Sequence, residues 1–249
     1  MPTKMRGVLL AGGTGSRLYP LTRITNKHLL PIYDRPMIQH AIETLVDAGI
    51  TEIRIILGDH HAGEFIRLLG AGEQFRANIS YNYQDKAGGI AEALGLAEQF
   101  ANDGPIVVML ADNIFENSIK PMVSAFRREP HGARILLSPS DDVEHLRHVG
   151  VPELDGDRVV NIVEKPRKPA SNYGVTGVYC YEASVFDVIK TLKPSSRGEL
   201  EITDVNNHYI AVDDMKYDVL DGFWGDAGES IDAYYAVNDF VRSKSVSCS

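Results

Sequence analysis

Four strand-like runs, the third alternating apolar and polar residues, are separated by stretches of helical periodicity in the first half of the 249-residue chain, and this order constrains the fold most. The runs cover residues 6–10, 53–57, 79–83 and 106–110. Between the first two, Met37, Ile38, Ala41, Ile42, Leu45 and Val46 recur at the spacing of one helical face. Pro36 suits the first turn of that helix and Gly49 its end. Residues 65–69 and 91–100 carry further helical patterns. Strand–helix–strand–helix order predicts an α/β fold: a Rossmann-like, mostly parallel sheet flanked by helices on both faces. Such a sheet takes ligands beyond the carboxyl ends of its strands. A glycine-rich stretch after the first run and Asp112 after the fourth fall at those ends.

The second half is less regular. Residues 149–154, 159–163 and 175–181 read as strands, with Asp155-Gly156-Asp157 as a turn between the first two. Helices are expected over 183–192, 201–212 and 230–241. The expected layout is a single domain over residues 1–249, with a β-rich extension that continues the same mixed sheet.

Charge narrows the ligands. The net charge is −9, so a broad nucleic-acid surface is not expected. A phosphorylated ligand would need positive charge concentrated in one pocket of an acidic body. Cys180 and Cys248 imply neither a disulfide framework nor a zinc site. His60-His61, and His145 with His148, lack the further ligands that zinc requires. The apolar run at residues 7–11 is too short for a signal peptide or membrane span. These features read as a cytoplasmic protein, in which the Asn78-Ile79-Ser80 sequon would go unused.

The glycine-rich segment runs Leu10-Ala11-Gly12-Gly13-Thr14-Gly15-Ser16-Arg17-Leu18-Tyr19-Pro20. It lacks the Gly-Lys-Ser/Thr of a Walker A loop and the third glycine of a dinucleotide fingerprint. Three glycines after a buried strand still let backbone amides approach anionic oxygens, and Arg17 adds a forked cation suited to phosphate. A tight turn with a surface arginine would look the same on glycine count alone.

The continuation, Thr25-Asn26-Lys27-His28-Leu29-Leu30-Pro31-Ile32-Tyr33-Asp34-Arg35-Pro36-Met37-Ile38, decides between these readings. Residues 10–38 together resemble the signature of the sugar nucleotidyltransferases, and most closely the glucose-1-phosphate thymidylyltransferases. Leu110-Ala111-Asp112-Asn113-Ile114-Phe115, Glu164-Lys165-Pro166, Val175-Thr176-Gly177-Val178-Tyr179, the segment 197–204 and Trp224-Gly225-Asp226-Ala227-Gly228 resemble the same family in the same order. The chain is similar to the short type, without the C-terminal helical segment of the long type's regulatory site. Three positions depart from the family pattern: Arg35 replaces a lysine, Val149 an aromatic residue, and His28 a glutamine.

The resemblance implies transfer of a nucleotidyl group from dTTP to glucose 1-phosphate, with Mg²⁺ as cofactor. Arg17 and Lys27 would be the catalytic cations on the triphosphate. Leu10, Gly12, Gly13, Thr14, Gly15, Ser16 and Arg17 would cradle the nucleotide, with Gln84 and Gly89 reading the pyrimidine. Asp112 would touch both substrates and hold the metal with Asp226. Gly150, Glu164, Lys165, Val175, Tyr179 and Arg197 would form the sugar-phosphate site. Residues 1–115 would then be mainly the nucleotide half and 116–249 mainly the sugar-phosphate half. By the same resemblance the protein would be a homo-oligomer, dimer or tetramer, binding neither nucleic acid nor membrane.

Taken singly, many of these residues have plainer readings. Asp112 suits a helix cap or Asx turn, Asp226 a turn and Lys27 a solvated surface. The alternatives in function are UTP in place of dTTP, another hexose 1-phosphate, a generic sugar-phosphate-binding module, or a catalytically silent regulatory subunit. A silent relative should have lost charged site residues, whereas Arg17, Lys27, Asp112, Lys165 and Asp226 are all present.

Overall fold

A computed structural model describes residues 4–58 and 61–247. Cys248 and His60 therefore lie outside the described residues. The centre is a seven-stranded sheet built from β1 (Arg6–Ala11), β2 (Glu52–Gly58), β3 (Asn78–Gln84), β4 (Ile106–Leu110), β5 (Ala133–Pro139), β6 (Tyr173–Tyr181) and β7 (Met215–Val219). Across the sheet the order is β7-β5-β6-β4-β1-β2-β3. The four early strands run parallel, as their helical crossovers require. β6 runs antiparallel to both its neighbours, and β7 pairs parallel with β5, so the sheet is mixed.

β1 shows why a central strand of this sheet reads as an apolar run. Leu9 and Ala11 enter the core on one face, and Val8 and Leu10 on the other. The first core holds Ile38, Ala41, Ile42 and Leu45 of helix Met37–Asp47, with Phe126 of helix Lys120–Arg128. The second holds Leu94, Phe186, Ile189 and Val205 from helices Ile90–Gly95, Val185–Thr191 and Ile202–Ala211. Each fully buried Leu or Ile contributes about 1.5–3 kcal/mol relative to exposure. A third, smaller cluster joins Leu18 and Ile32 to Ala227, Tyr234 and Val237. It docks the glycine-rich loop and the Asp226 turn against helix Ile231–Ser247.

Three expectations need adjustment. The expected helix over 91–100 is two, Ile90–Gly95 and Glu98–Ala101. The Leu96 and Ala97 amides donate to Ala93 and Leu94, a tighter three-residue spacing that ends the first helix just after Gly95. The β-rich extension is divided. Tyr173–Tyr181 joins the main sheet, but Gly150–Asp155 and Arg158–Glu164 form a separate antiparallel pair. Pro152, which has no amide hydrogen, sits in that pair rather than in a central strand. Strands β5 and β7 and helix Lys120–Arg128 escaped sequence reading altogether. Arg134 and Asp218, bonded at 2.8 Å between β5 and β7, interrupt the apolar pattern of both.

Candidate active site

A cavity of about 500 Å³ opens at the carboxyl ends of the parallel strands. Its walls include Leu10, Gly12, Gly13, Thr14, Gly15, Ser16, Arg17, Lys27, Gln84, Gly89, Asp112, Gly150, Glu164, Lys165, Val175, Tyr179, Arg197 and Asp226. Every residue singled out in the sequence as a candidate for the site thus faces one space. Arg35 does not. Both oxygens of Glu43 hold its guanidinium at 3.1 Å, on the first turns of helix Met37–Asp47.

The glycines act through what they leave out. A Cβ on Gly12 would sit 3.1 Å from Gln84 Oε1. Gly15 has φ 66° and precedes a short 3₁₀ turn, Ser16–Leu18, a conformation that a side chain would strain. Beneath this loop Asn26 caps the turn Lys27–Leu29, accepting from the His28 amide at 2.9 Å. That cap turns Lys27 inward. Lys27 and His28 are both buried, and both line the cavity. Burial first, and the neighbouring Lys27 charge second, push His28 down to about 3, so its ring is neutral.

Lys27 Nζ bonds Asp112 Oδ2 directly. A Cβ on Gly228 would meet Asp112 Oδ2 at 2.5 Å, Lys27 Nζ at 2.8 Å and Asp226 Oδ1 at 3.2 Å. One ammonium and two carboxylates therefore converge on a point that only glycine leaves open. Burial alone would raise the Asp112 carboxyl, but the Lys27 charge, with hydrogen bonds from Lys27 and Asn113, holds it below the ordinary carboxylate range. Asp226 is pushed the other way, up to about 6, by burial and then by the Asp112 charge. Two facing buried carboxylates with opposite shifts form a site short of positive charge. Among the described residues no three His, Cys, Asp or Glu side chains gather to hold a metal. One or two carboxylates, completed by phosphate oxygens and water, suit Mg²⁺ rather than a site made wholly by protein.

The opposite wall is organised around Glu164, the last residue of strand Arg158–Glu164. Thr203 donates to its Oε2 at 2.7 Å, while Lys165 Nζ lies 3.4 Å and Arg197 3.9 Å from its Oε1. Arg197 is itself held at 2.9 Å by Glu201. Lys165 has φ 47°, an uncommon backbone for a non-glycine residue. Gly150 would bring a Cβ to 3.7 Å from Glu164 Oε2, so its absence widens this wall. Buried Tyr179 has its hydroxyl pushed up, by burial first and then by the charges of Glu164, Asp112 and Asp226.

Sequence reasoning missed the residues that hold these groups in place. Asn113 donates to Asp112 Oδ1 at 3.1 Å and accepts from the Gly177 amide and the Trp224 indole. Thr203 orients Glu164, and Gly228 leaves the carboxylates uncovered. Each lies inside a quoted motif, but their partners are far away in sequence and no local pattern reveals the bonds.

Comparison with known proteins shows the family and the fold. The family model described as "Nucleotidyl transferase" matches residues 6–244. The chain is 42% identical over 243 residues to a glucose-1-phosphate thymidylyltransferase of Actinoplanes sp., covering 96% of this chain and 78% of that protein. It is 40% identical over 242 residues to the enzyme of the same name from Xanthomonas campestris pv. campestris, covering 95% and 80%. A Bacillus anthracis protein, assigned as a glucose-1-phosphate thymidylyltransferase and crystallised with sucrose, superposes with TM-score 0.91 at 47% identity, covering 96% of each chain. A UDP-glucose pyrophosphorylase structure shares the fold, with TM-score 0.84 at 23% identity, covering 97% of this chain and 100% of that one. With a match over nearly its whole length and relatives at about 40% identity, the chain belongs to the nucleotidyl transferase family.

Proposed function

We propose that the protein transfers the thymidylyl group of dTTP to glucose 1-phosphate, giving dTDP-glucose and pyrophosphate, with Mg²⁺ as its metal. The observation that carries this reading is the convergence of Lys27, Asp112 and Asp226 over Gly228, facing the glycine-rich loop across one cavity. The thymidylyltransferase relatives supply the substrate class.

In the proposed reaction a phosphate oxygen of the sugar 1-phosphate attacks the α-phosphorus in line, and pyrophosphate leaves. The monoester's second pKa is about 6, so the nucleophile is already ionised near neutral pH and no general base is needed. The obstacle is bringing two polyanions together, and fixed cations in a cavity meet it. The loop amides of residues 12–16, with Arg17, take the triphosphate. Lys27 faces the transferring phosphoryl group. Lys165 and Arg197 take the sugar's phosphate, and Glu164, held by Thr203, accepts from sugar hydroxyls. Asp112 and Asp226 would hold the metal, which supplies charge neutralisation at the nucleotide phosphates when bound. Residues 1–115 thus serve mainly the nucleotide and 116–249 mainly the sugar phosphate. The reading includes a cytoplasmic setting, in keeping with the free, buried Cys180, and a homo-oligomer that rests on family resemblance alone.

A matrix of nucleoside triphosphates against hexose 1-phosphates, read by pyrophosphate release with Mg²⁺ and with EDTA, tests the proposal. dTTP with glucose 1-phosphate should turn over, and EDTA should abolish it. Turnover with UTP alone would replace the thymidylyl assignment, and no turnover with any pair would sink it.

A further inference from the structure

On the base side of the cavity, the partners of one amide dictate its orientation. Gln84 ends β3 and is buried. Its Nε2 lies 2.9 Å from Glu92 Oε2 and 3.3 Å from the Gly89 carbonyl oxygen. A carboxylate and a backbone carbonyl can only accept, so the amide nitrogen must face them. The reversed amide would set Oε1 against two oxygens. Oε1 consequently points the other way, past Gly12, whose missing Cβ would lie 3.1 Å from it. No hydrogen bond from a described residue reaches Oε1. Gln84 lines the cavity, whereas Glu92, on helix Ile90–Gly95, does not.

We infer that Glu92 is a specificity-determining positioning residue: it locks Gln84 with its acceptor oxygen toward the base, so that the site selects a pyrimidine carrying a hydrogen on N3. Thymine and uracil offer that donor. Cytosine has an acceptor at N3 and would meet oxygen with a lone pair. Of the two contacts that fix the amide, the Glu92 bond is the shorter. Without it, rotation of the amide would present Nε2 to the base and remove the discrimination. The inference rests on the thymidylyl reading above and adds the group that enforces it.

The test is kcat/KM for dTTP and for dCTP with glucose 1-phosphate, in the wild type, E92M and E92Q. The wild type should prefer dTTP. E92M should lower the dTTP-to-dCTP ratio about tenfold, the scale of one hydrogen bond, chiefly through a raised KM for dTTP. E92Q, whose amide oxygen still accepts from Gln84 Nε2, should return the ratio to within about threefold of wild type. A merely structural role would lower both nucleotides together and leave the ratio unmoved. An unmoved ratio in E92M, or in E92A should E92M not fold, overturns the inference while wild-type turnover of dTTP keeps the thymidylyl reading. A wild type that uses no pyrimidine nucleotide overturns both.

Discussion

The indole N–H of Trp224 donates to the side-chain oxygen of Asn113 across 2.7 Å, and this bond joins two short antiparallel strands, Asn113–Phe115 and Trp224–Asp226, that position the paired carboxylates. Asp226 stands opposite Asn113 in that antiparallel pair, and the Ala227 amide donates to the Asp112 carbonyl at 2.9 Å. A ladder of backbone bonds, with Asn113 as its side-chain buttress, therefore sets how the two carboxylates face each other.

Removing the buttress should cost stability before chemistry. Asn113→Ala leaves the Gly177 amide and the Trp224 indole without this acceptor. It should destabilise the fold by about 2–3 kcal/mol in urea denaturation, against about 1 kcal/mol for Trp224→Phe. Equal losses in the two variants would show that Asn113 does no more than bind the indole.

Charge at the centre should matter far more for rate. Lys27→Ala and Asp226→Asn are each expected to lower turnover at least about a hundredfold, the scale of losing a preorganised charge. Lys27→Ala should also destabilise the metal-free protein by about 3–5 kcal/mol, because Asp112 keeps a buried charge without its partner. Single-turnover rates and thermal melts separate the two effects, and full turnover in both variants would remove these residues from the mechanism.

His28 should make the fold sensitive to acid. Its folded value is pushed down to about 3, below the ordinary value of 6.5. Its contribution is complete above 6.5 and shrinks as pH falls toward 3, because the unfolded chain takes up a proton that the fold refuses. Urea midpoints between pH 7 and pH 4.5 should therefore fall more steeply in wild type than in His28→Gln. Parallel slopes would mean that the ring is solvated or charged in the fold.

His145 should act with the opposite sign. Its Nδ1 lies 2.8 Å from Glu229, and that bond raises it above the ordinary 6.5. The pair's stabilisation is complete below 6.5 and is lost as pH rises through the raised folded value. Comparing wild type with Glu229→Gln, the stability gap should be widest below pH 6.5 and close at alkaline pH. A gap that grows with pH would contradict the assigned pair.

Gly89 should tolerate no side chain. It has φ 101°, and a Cβ there would lie 2.7 Å from the Leu200 amide nitrogen and nearer still to its carbonyl oxygen. Gly89→Ala should raise the KM for the nucleotide at least about tenfold, since strain of about 1–3 kcal/mol falls on the base-reading segment. An unchanged KM would place the base elsewhere in the cavity.

The amino-acid order alone determined most of the parallel half of the sheet, because β1 and β4 are buried on both faces and carry apolar runs, and the run of β2 is broken only by half-buried Arg54. It also held the motif residues of the cavity, whose likeness to a family survives without any knowledge of contacts. Tertiary structure alone decided what those residues face. Lys27 and Asp112 are 85 positions apart, and Asn113 and Trp224 are 111 apart, beyond any local periodicity. Arg134 of β5 meets its partner Asp218 of β7 only once those two strands lie side by side. Packing likewise made Asp112 and Asp226 unequal, since Lys27 bonds the first, whereas burial and then the Asp112 charge raise the second. Local propensity sees near neighbours, whereas the electrostatics of a cavity depend on which distant side chains the sheet brings together.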